Sequence, residues 1–233
     1  MPMLNSLTSD LQALADPEKA ALLSRFFKTG KGQYGEGDVF LGIVVPKQRA
    51  VARKYPSLST GDIGKLLASK IHEHRLVALL ILTEKYRKAD GKGKDRLVDF
   101  YLKHTGRINN WDLVDLSASH ILGDYLLGRD RSVLYRLARS ANLWERRISI
   151  IATAAFIRNN DFGETLRIAE ILLDDDHDLI HKATGWMLRE VGKRDLAAEE
   201  DFLRKHYRRM PRTMLRYAIE RFGEKKRRFF LGR

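Results

Sequence analysis

The chain of 233 residues carries 43 Lys and Arg against 30 Asp and Glu, a formal net charge of +13, and is 44% hydrophobic with no cysteine. That apolar content excludes a largely disordered chain, and the missing cysteine excludes disulfides, thiolate metal sites and cysteine nucleophiles. The missing cysteine suits a reducing, cytoplasmic setting, the lack of a run of about 18 apolar residues or a signal-peptide pattern in the polar start points to a soluble protein, and the excess of cations calls for a polyanionic partner, nucleic acid before an anionic membrane surface.

Residues 1–56 read as N-terminal helices joined by a glycine-rich loop, in which Gly30-Lys31-Gly32-Gln33-Tyr34-Gly35 has the spacing of a dinucleotide-binding fingerprint. No strand precedes it and no parallel-sheet unit surrounds it, so a nucleotide cofactor is rejected. Two uses of the loop stay open: a basic segment carrying Tyr34 toward nucleic acid, or a plain connection between helices.

From Ser57 onward apolar residues recur at three- and four-residue spacing without sustained alternation, which predicts helix throughout and no strand. Helix starts are marked by a small polar residue three positions before an acid, at Ser59/Asp62, Asn109/Asp112, Asn142/Glu145 and Asp161/Glu164. The second helix of each apparent pair opens at His74-Arg75-Leu76-Val77, Asn110-Trp111-Asp112-Leu113, Arg146-Arg147-Ile148-Ser149 and His181-Lys182-Ala183-Thr184, a period of 35–36 residues, and Pro211-Arg212-Thr213-Met214 follows after 30. Helix pairs at such a period form stacked solenoids, because one pair cannot bury its apolar face alone. The expectation is therefore an all-α solenoid of HEAT-like repeats, one domain over 1–233, with five tandem pairs in 57–233.

Stacking places equivalent positions in a row, so Arg75, Trp111, Arg147, Lys182 and Arg212 are expected to form a ladder, basic at four rungs, along a concave face. One helical turn beyond the second rung lies Asp115, and one turn beyond the fourth lies Trp186. Two readings of Trp111 and Asp115 are open: a packing residue with a solvated acid, or a site. The surrounding cations favour the second, since a carboxylate in a phosphate-binding stripe repels DNA unless it has specific work there. Such work exists where a glycosidic bond breaks, because a carboxylate stabilises the positive charge developing on the sugar, or orients the attacking water. A base alkylated on a ring nitrogen is already cationic and leaves without strong acid assistance, so one carboxylate suffices. Trp111 and Trp186 would then hold sugar or electron-poor base by stacking.

Other segments read more simply. Arg146 and Arg147 open a helix where both can address phosphate, and Trp144 lies off the column as a packing residue. His177 and His181 stand four apart with no third ligand evident, so no metal is expected. Lys225-Lys226-Arg227-Arg228 reads as a solvated end adding to nonspecific DNA affinity. No heptad seam marks a dimer interface, so a monomer is expected.

Several separated motifs, in order, resemble the AlkD-type DNA alkylation-repair glycosylases: Phe26-Phe27 through Gly37-Asp38, then Phe40-Leu41-Gly42-Ile43, Asn110-Trp111-Asp112-Leu113-Val114-Asp115, Trp144-Glu145-Arg146-Arg147 and Gly185-Trp186-Met187-Leu188-Arg189-Glu190. The resemblance spans nearly the whole chain. It implies a HEAT-like fold, double-stranded DNA containing alkylated bases as substrate, and hydrolytic release of N3- and N7-alkylated purines, such as 3-methyladenine and 7-methylguanine, without metal or cofactor. On this resemblance Trp111, Asp115 and Trp186 match the catalytic cleft and Arg147 the phosphate-gripping arginine, with Arg146 leaving a one-residue ambiguity. It also implies engagement of the damaged nucleotide through backbone and sugar, and, in a bacterium, association with the nucleoid. The competing reading is a HEAT-repeat module that binds damaged or branched DNA or RNA without cleaving it.

Overall fold

Short polar caps start the helices. In the computed structural model, which describes residues 2–232, Asp16 accepts from Lys19 N at 3.1 Å ahead of Pro17, and Ser59 accepts from Asp62 N at the same distance. Such caps satisfy amide groups that the first helical turn leaves without partners. The chain divides into two compact units, one running to Ser117 and one from Ala118.

The first unit holds α1 (Pro2–Gln12), α2 (Pro17–Phe26), α3 (Val45–Lys54), α4 (Thr60–Leu67), α5 (His72–Lys88), α6 (Gly91–Lys103) and nearly all of α7 (Trp111–Ala118). Helix α5 is its centre, packing on α1, α3, α4 and α6. Leu76, Val77, Ala78, Leu79 and Leu82 are all fully or almost fully buried, so α5 is apolar around most of its circumference, as a central helix must be. Among the described residues the nearest approach to a strand is one parallel bridge, Val39 with Ile71.

The second unit begins with a π turn at Ser119–Gly123, followed by α8 (Ser132–Ala138), α9 (Leu143–Ala152), α10 (Ala154–Arg158), α11 (Gly163–Ile171), α12 (Asp178–Gly192), α13 (Leu196–His206), α14 (Arg212–Ala218) and α15 (Glu224–Leu231). Helices α9, α12 and α14 pack in sequence side by side, with α8 and α11 against them and against each other and α13 against α12. This is an all-α helical repeat. Glycine makes the close approaches possible: a Cβ on Gly185 would stand 2.3 Å from Met214 O, and one on Gly123 2.1 Å from Ala152 O.

Two of the four predicted helix starts take the expected form. Asn142 caps α9 through Trp144 N at 2.9 Å, as Ser59 caps α4. At α7 the backbone bond comes from Asn110, whose carbonyl accepts from Val114 N, and its side chain, instead of Asn109's, accepts from Trp111 N at 2.8 Å. At α11 Asp161 caps nothing, because Arg131 claims its carboxylate at 2.7 Å. No helix of the described residues is long and apolar enough to cross a membrane.

Candidate functional site

In the first unit the glycine-rich connection between α2 and α3 is fastened to α5 by buried charge. Glu73, wholly buried, accepts three backbone N–H groups in a row, from Leu41 at 3.0 Å, Gly42 at 2.9 Å and Ile43 at 3.2 Å. Arg75 donates through Nη1 to Ser69 O at 2.8 Å and ion-pairs through Nη2 with Asp38 at 2.6 Å. His72 Nε2 lies 2.8 Å from Asp112 Oδ2 and its Nδ1 lies 3.4 Å from Asp38 Oδ2. The histidine thus links the loop to the first turn of α7.

Burial disfavours the charged imidazole of His72, but hydrogen bonding and charge from Asp112, together with Asp38, overcome it and raise its pKa above the ordinary value, against the opposing charge of Arg75. Burial likewise disfavours the Asp38 carboxylate, yet His72, Arg75 and Asn110 hold its pKa below the usual range. Two carboxyl groups, one imidazole and one guanidinium therefore form a single buried cluster in which opposite charges face each other.

Above this cluster the aromatic rings are layered. Phe40 stacks on His72 at 4.6 Å between centroids, Phe27 stacks on Phe40 at 5.0 Å, and Trp111 stacks on Phe27 at 5.2 Å. Phe26 meets the indole edge-on at 6.0 Å and stays largely exposed. Trp111 is consequently fixed yet half-buried, and Asp115, one turn later on α7, is half-buried as well. Behind α7, burial pushes Tyr101 well above the usual phenol range, with Asp115 adding to the shift and a Ser117 hydrogen bond opposing it; the two hydroxyls lie 3.1 Å apart. Tyr34, half-buried, turns its hydroxyl toward Phe26 O at 3.5 Å.

The second unit holds the remaining predicted residues. Arg146 reaches Asp175 and donates to Ser140 O at 2.9 Å and Ala141 O at 3.0 Å. Arg147 is 5% exposed and donates to Leu179 O at 2.6 Å, tying α9 to the first turn of α12. Lys182 pairs with Asp178 at 2.6 Å, and Arg212 donates to Leu231 O at 2.6 Å. Trp186 is half-exposed, its Nε1 donating to Glu190 Oε1 at 3.0 Å, on the wall of an open groove of about 670 Å³.

The ladder thus separates by exposure. Arg75, at 3% exposure, and Arg147 spend their guanidinium groups inside the protein, so neither is offered to a phosphate in this structure, whereas Lys182 and Arg212 keep surface positions. Sequence reasoning left unassigned the groups that bury Arg75 and fasten the loop: Asp38, His72 and Glu73 carry no periodic signal, and Asp112 reads there only as a capping acid. Among the described residues no group of three or more His, Asp or Glu side chains is arranged to hold a metal ion.

The family model "DNA alkylation repair enzyme" matches residues 7–222. A predicted DNA alkylation repair enzyme from Enterococcus faecalis superposes with a TM-score of 0.71 at 16% identity, covering 90% of this chain and 97% of that one. The smu.31 protein from Streptococcus mutans UA159 superposes with a TM-score of 0.53, also at 16% identity, covering 75% of this chain and 89% of its own. At that identity the likeness concerns the fold alone. Among curated proteins, none matches the sequence.

Proposed function

Because the chain belongs to the DNA alkylation repair enzyme family, we propose that it is a monofunctional DNA glycosylase that hydrolyses the N-glycosidic bond of N3- and N7-alkylated purines, 3-methyladenine and 7-methylguanine among them, in duplex DNA. The observation that carries this reading is the pairing on α7 of a Trp111 indole held by the Phe27 stack with a half-buried Asp115 one turn away. An immobilised aromatic face beside a carboxylate suits a sugar that becomes cationic.

In the proposed reaction the C1′–N bond lengthens first, its electrons returning to the alkylated base and neutralising it. Positive charge builds on C1′ and the ring oxygen, and the Asp115 carboxylate stabilises it or orients the water that attacks C1′. That water passes its extra proton to the surrounding solvent, leaving an abasic site with a C1′ hydroxyl and the free, neutral base. Trp111 holds the nucleotide by stacking and cation–π attraction, worth ~0.5–2 kcal/mol, and Trp186 offers DNA a second aromatic surface. No metal or cofactor enters the proposal, and the protein acts as a monomer.

The test is release of 7-methylguanine from methylated duplex DNA by the wild type and by Asp115→Asn at matched DNA occupancy. Release by the wild type with at least a tenfold loss in the variant, about 1.4 kcal/mol of barrier, supports the enzyme and the role of Asp115. Equal release by both moves the chemistry elsewhere, and tight binding without release by either replaces the enzyme with the binding module.

A further inference from the structure

With Arg147 buried, Arg146 engaged by Asp175 and two carbonyls, Lys182 paired with Asp178 and Arg212 donating to Leu231 O, DNA on the second unit calls for other cations beside the ladder. The groove beside Trp186 supplies them. Arg158 from the end of α10 and Lys193 and Arg194 from the end of α12 line it together with Trp186, and all three cations are exposed. Arg158 makes no ion pair among the described residues, and Arg194 donates to a neutral oxygen, Asn160 Oδ1, at 3.1 Å. The lining includes one acid, Glu190, and that acid is already matched. Its Oε1 accepts from Lys193 at 2.6 Å and from Trp186 Nε1 at 3.0 Å, so one carboxylate fastens the indole and leaves two guanidinium groups without a counter-charge.

Cations near helix C-termini also answer the helix dipole. That effect is weak, smallest for a helix as short as α10, and any exposed position in the last turn serves it. It does not account for cations from two separate helix ends sharing one groove with an indole. A planar, multiply donating guanidinium is suited to bridging phosphate oxygens, and an indole wall in the same groove suits the sugar or base of a nucleotide.

We propose that this groove is a phosphodiester-strand site, in which Arg158 and Arg194 bind backbone phosphates on either side of a nucleotide packed against Trp186. The proposal rests on the reading of the protein as one that acts on DNA, and deepens it by naming residues outside the predicted ladder. A strand, unlike a free phosphate or a lipid headgroup, uses both guanidinium groups and the indole together.

The experiment is fluorescence anisotropy of a labelled, undamaged 12-base-pair duplex with the full chain, from 50 to 200 mM NaCl. Wild type is compared with Arg158→Gln/Arg194→Gln and with a control of equal charge loss, Arg204→Gln/Lys205→Gln on the exposed side of α13. Each phosphate contact contributes about 0.9 to the slope of log affinity against log salt, so the groove variant is expected to lose about 2 from that slope and the control little. Circular dichroism melts of all three proteins are expected to coincide. Equal slopes in groove variant and control overturn the proposal while leaving the DNA reading intact. Failure of the wild type to bind the duplex overturns both. Inorganic phosphate at matched ionic strength is expected not to displace the duplex; displacement means a single-phosphate site and overturns the strand assignment.

Discussion

Phe27 lies flat against Trp111, with ring centroids 5.2 Å apart and planes 14° from parallel, although one residue belongs to the connection after α2 and the other opens α7. The orientation of the candidate aromatic wall is therefore set by the loop that covers it. Replacing the buried Phe27 by Ala is expected to cost about 3–5 kcal/mol, and by Leu about 1.5 kcal/mol or less. In Phe27→Leu, base release should fall by more than DNA affinity does. Urea unfolding together with single-turnover release checks both halves, and equal loss in binding and release would count against an orienting role for Phe27.

The loop in turn hangs on Glu73. Glu73→Ala strands the buried N–H groups of Gly42 and Ile43 and the part-buried one of Leu41, and at about 1–3 kcal/mol for each buried donor left unpaired it should destabilise the first unit by at least ~2 kcal/mol. Limited proteolysis should then cut within residues 27–44 before any other site. Gly42→Ala is expected to act similarly, since Gly42 has φ +84° and a Cβ there would stand 2.1 Å from Asp16 O. Unchanged unfolding midpoints in both variants would remove the anchoring role of this contact.

The His72 cluster makes a signed prediction about pH. The folded pKa of His72 lies above 6.5, so its contribution to stability is present in full below about pH 6.5 and is lost as pH rises through the folded value. Asp38, which faces it with Asp112 and Arg75, has a lowered pKa and contributes in the opposite sense, present above about pH 4 and lost as pH falls through its folded value. Wild-type unfolding free energy should therefore decline through this site as pH rises from about 6.5 through the folded value of His72. His72→Gln, less stable at pH 6, should lose the part of the decline due to His72. Parallel pH profiles for the two proteins would exclude this linkage.

Glu199 on α13 is a second titrating site, in the other unit. It is 2% exposed, its Oε1 has no hydrogen-bond partner, and its other oxygen occupies the space a side chain at Gly192 would need. Burial pushes its pKa up to about 8, with Glu200 adding to the shift and Arg189 opposing it. The folded state thus holds a proton that the unfolded chain releases near pH 4.5, and stability falls as pH rises from there to about 8. Glu199→Gln preserves the shape without the charge and should be more stable than wild type at pH 9 by on the order of a few kcal/mol, with little difference at pH 4. Urea titrations at the two pH values measure it, and a wild type as stable as the variant at pH 9 would rule the effect out.

What the sequence by itself determined is what local periodicity and capping encode. Three- and four-residue apolar spacing specifies helices, the recurrence of paired helices specifies a repeat, and the four-residue interval fixes Trp111 and Asp115 one turn apart on α7. Ser59 and Asn142 are readable as caps because a cap acts within three residues of itself. The tertiary structure decided what lies over each position. A helical column states the direction in which Arg75 and Arg147 leave their helices, but not that Asp38, far upstream in an aperiodic loop, or Leu179, on the next helix pair, waits there to bind them. The same long-range competition removed Asp161 from its cap, since Arg131 supplies a full charge where the cap offers only amide dipoles. Burial and pairing of a charge depend on every group that folding brings within a few ångströms, and for Arg75, Arg131 and Arg147 those groups lie about 30 or more residues away along the chain.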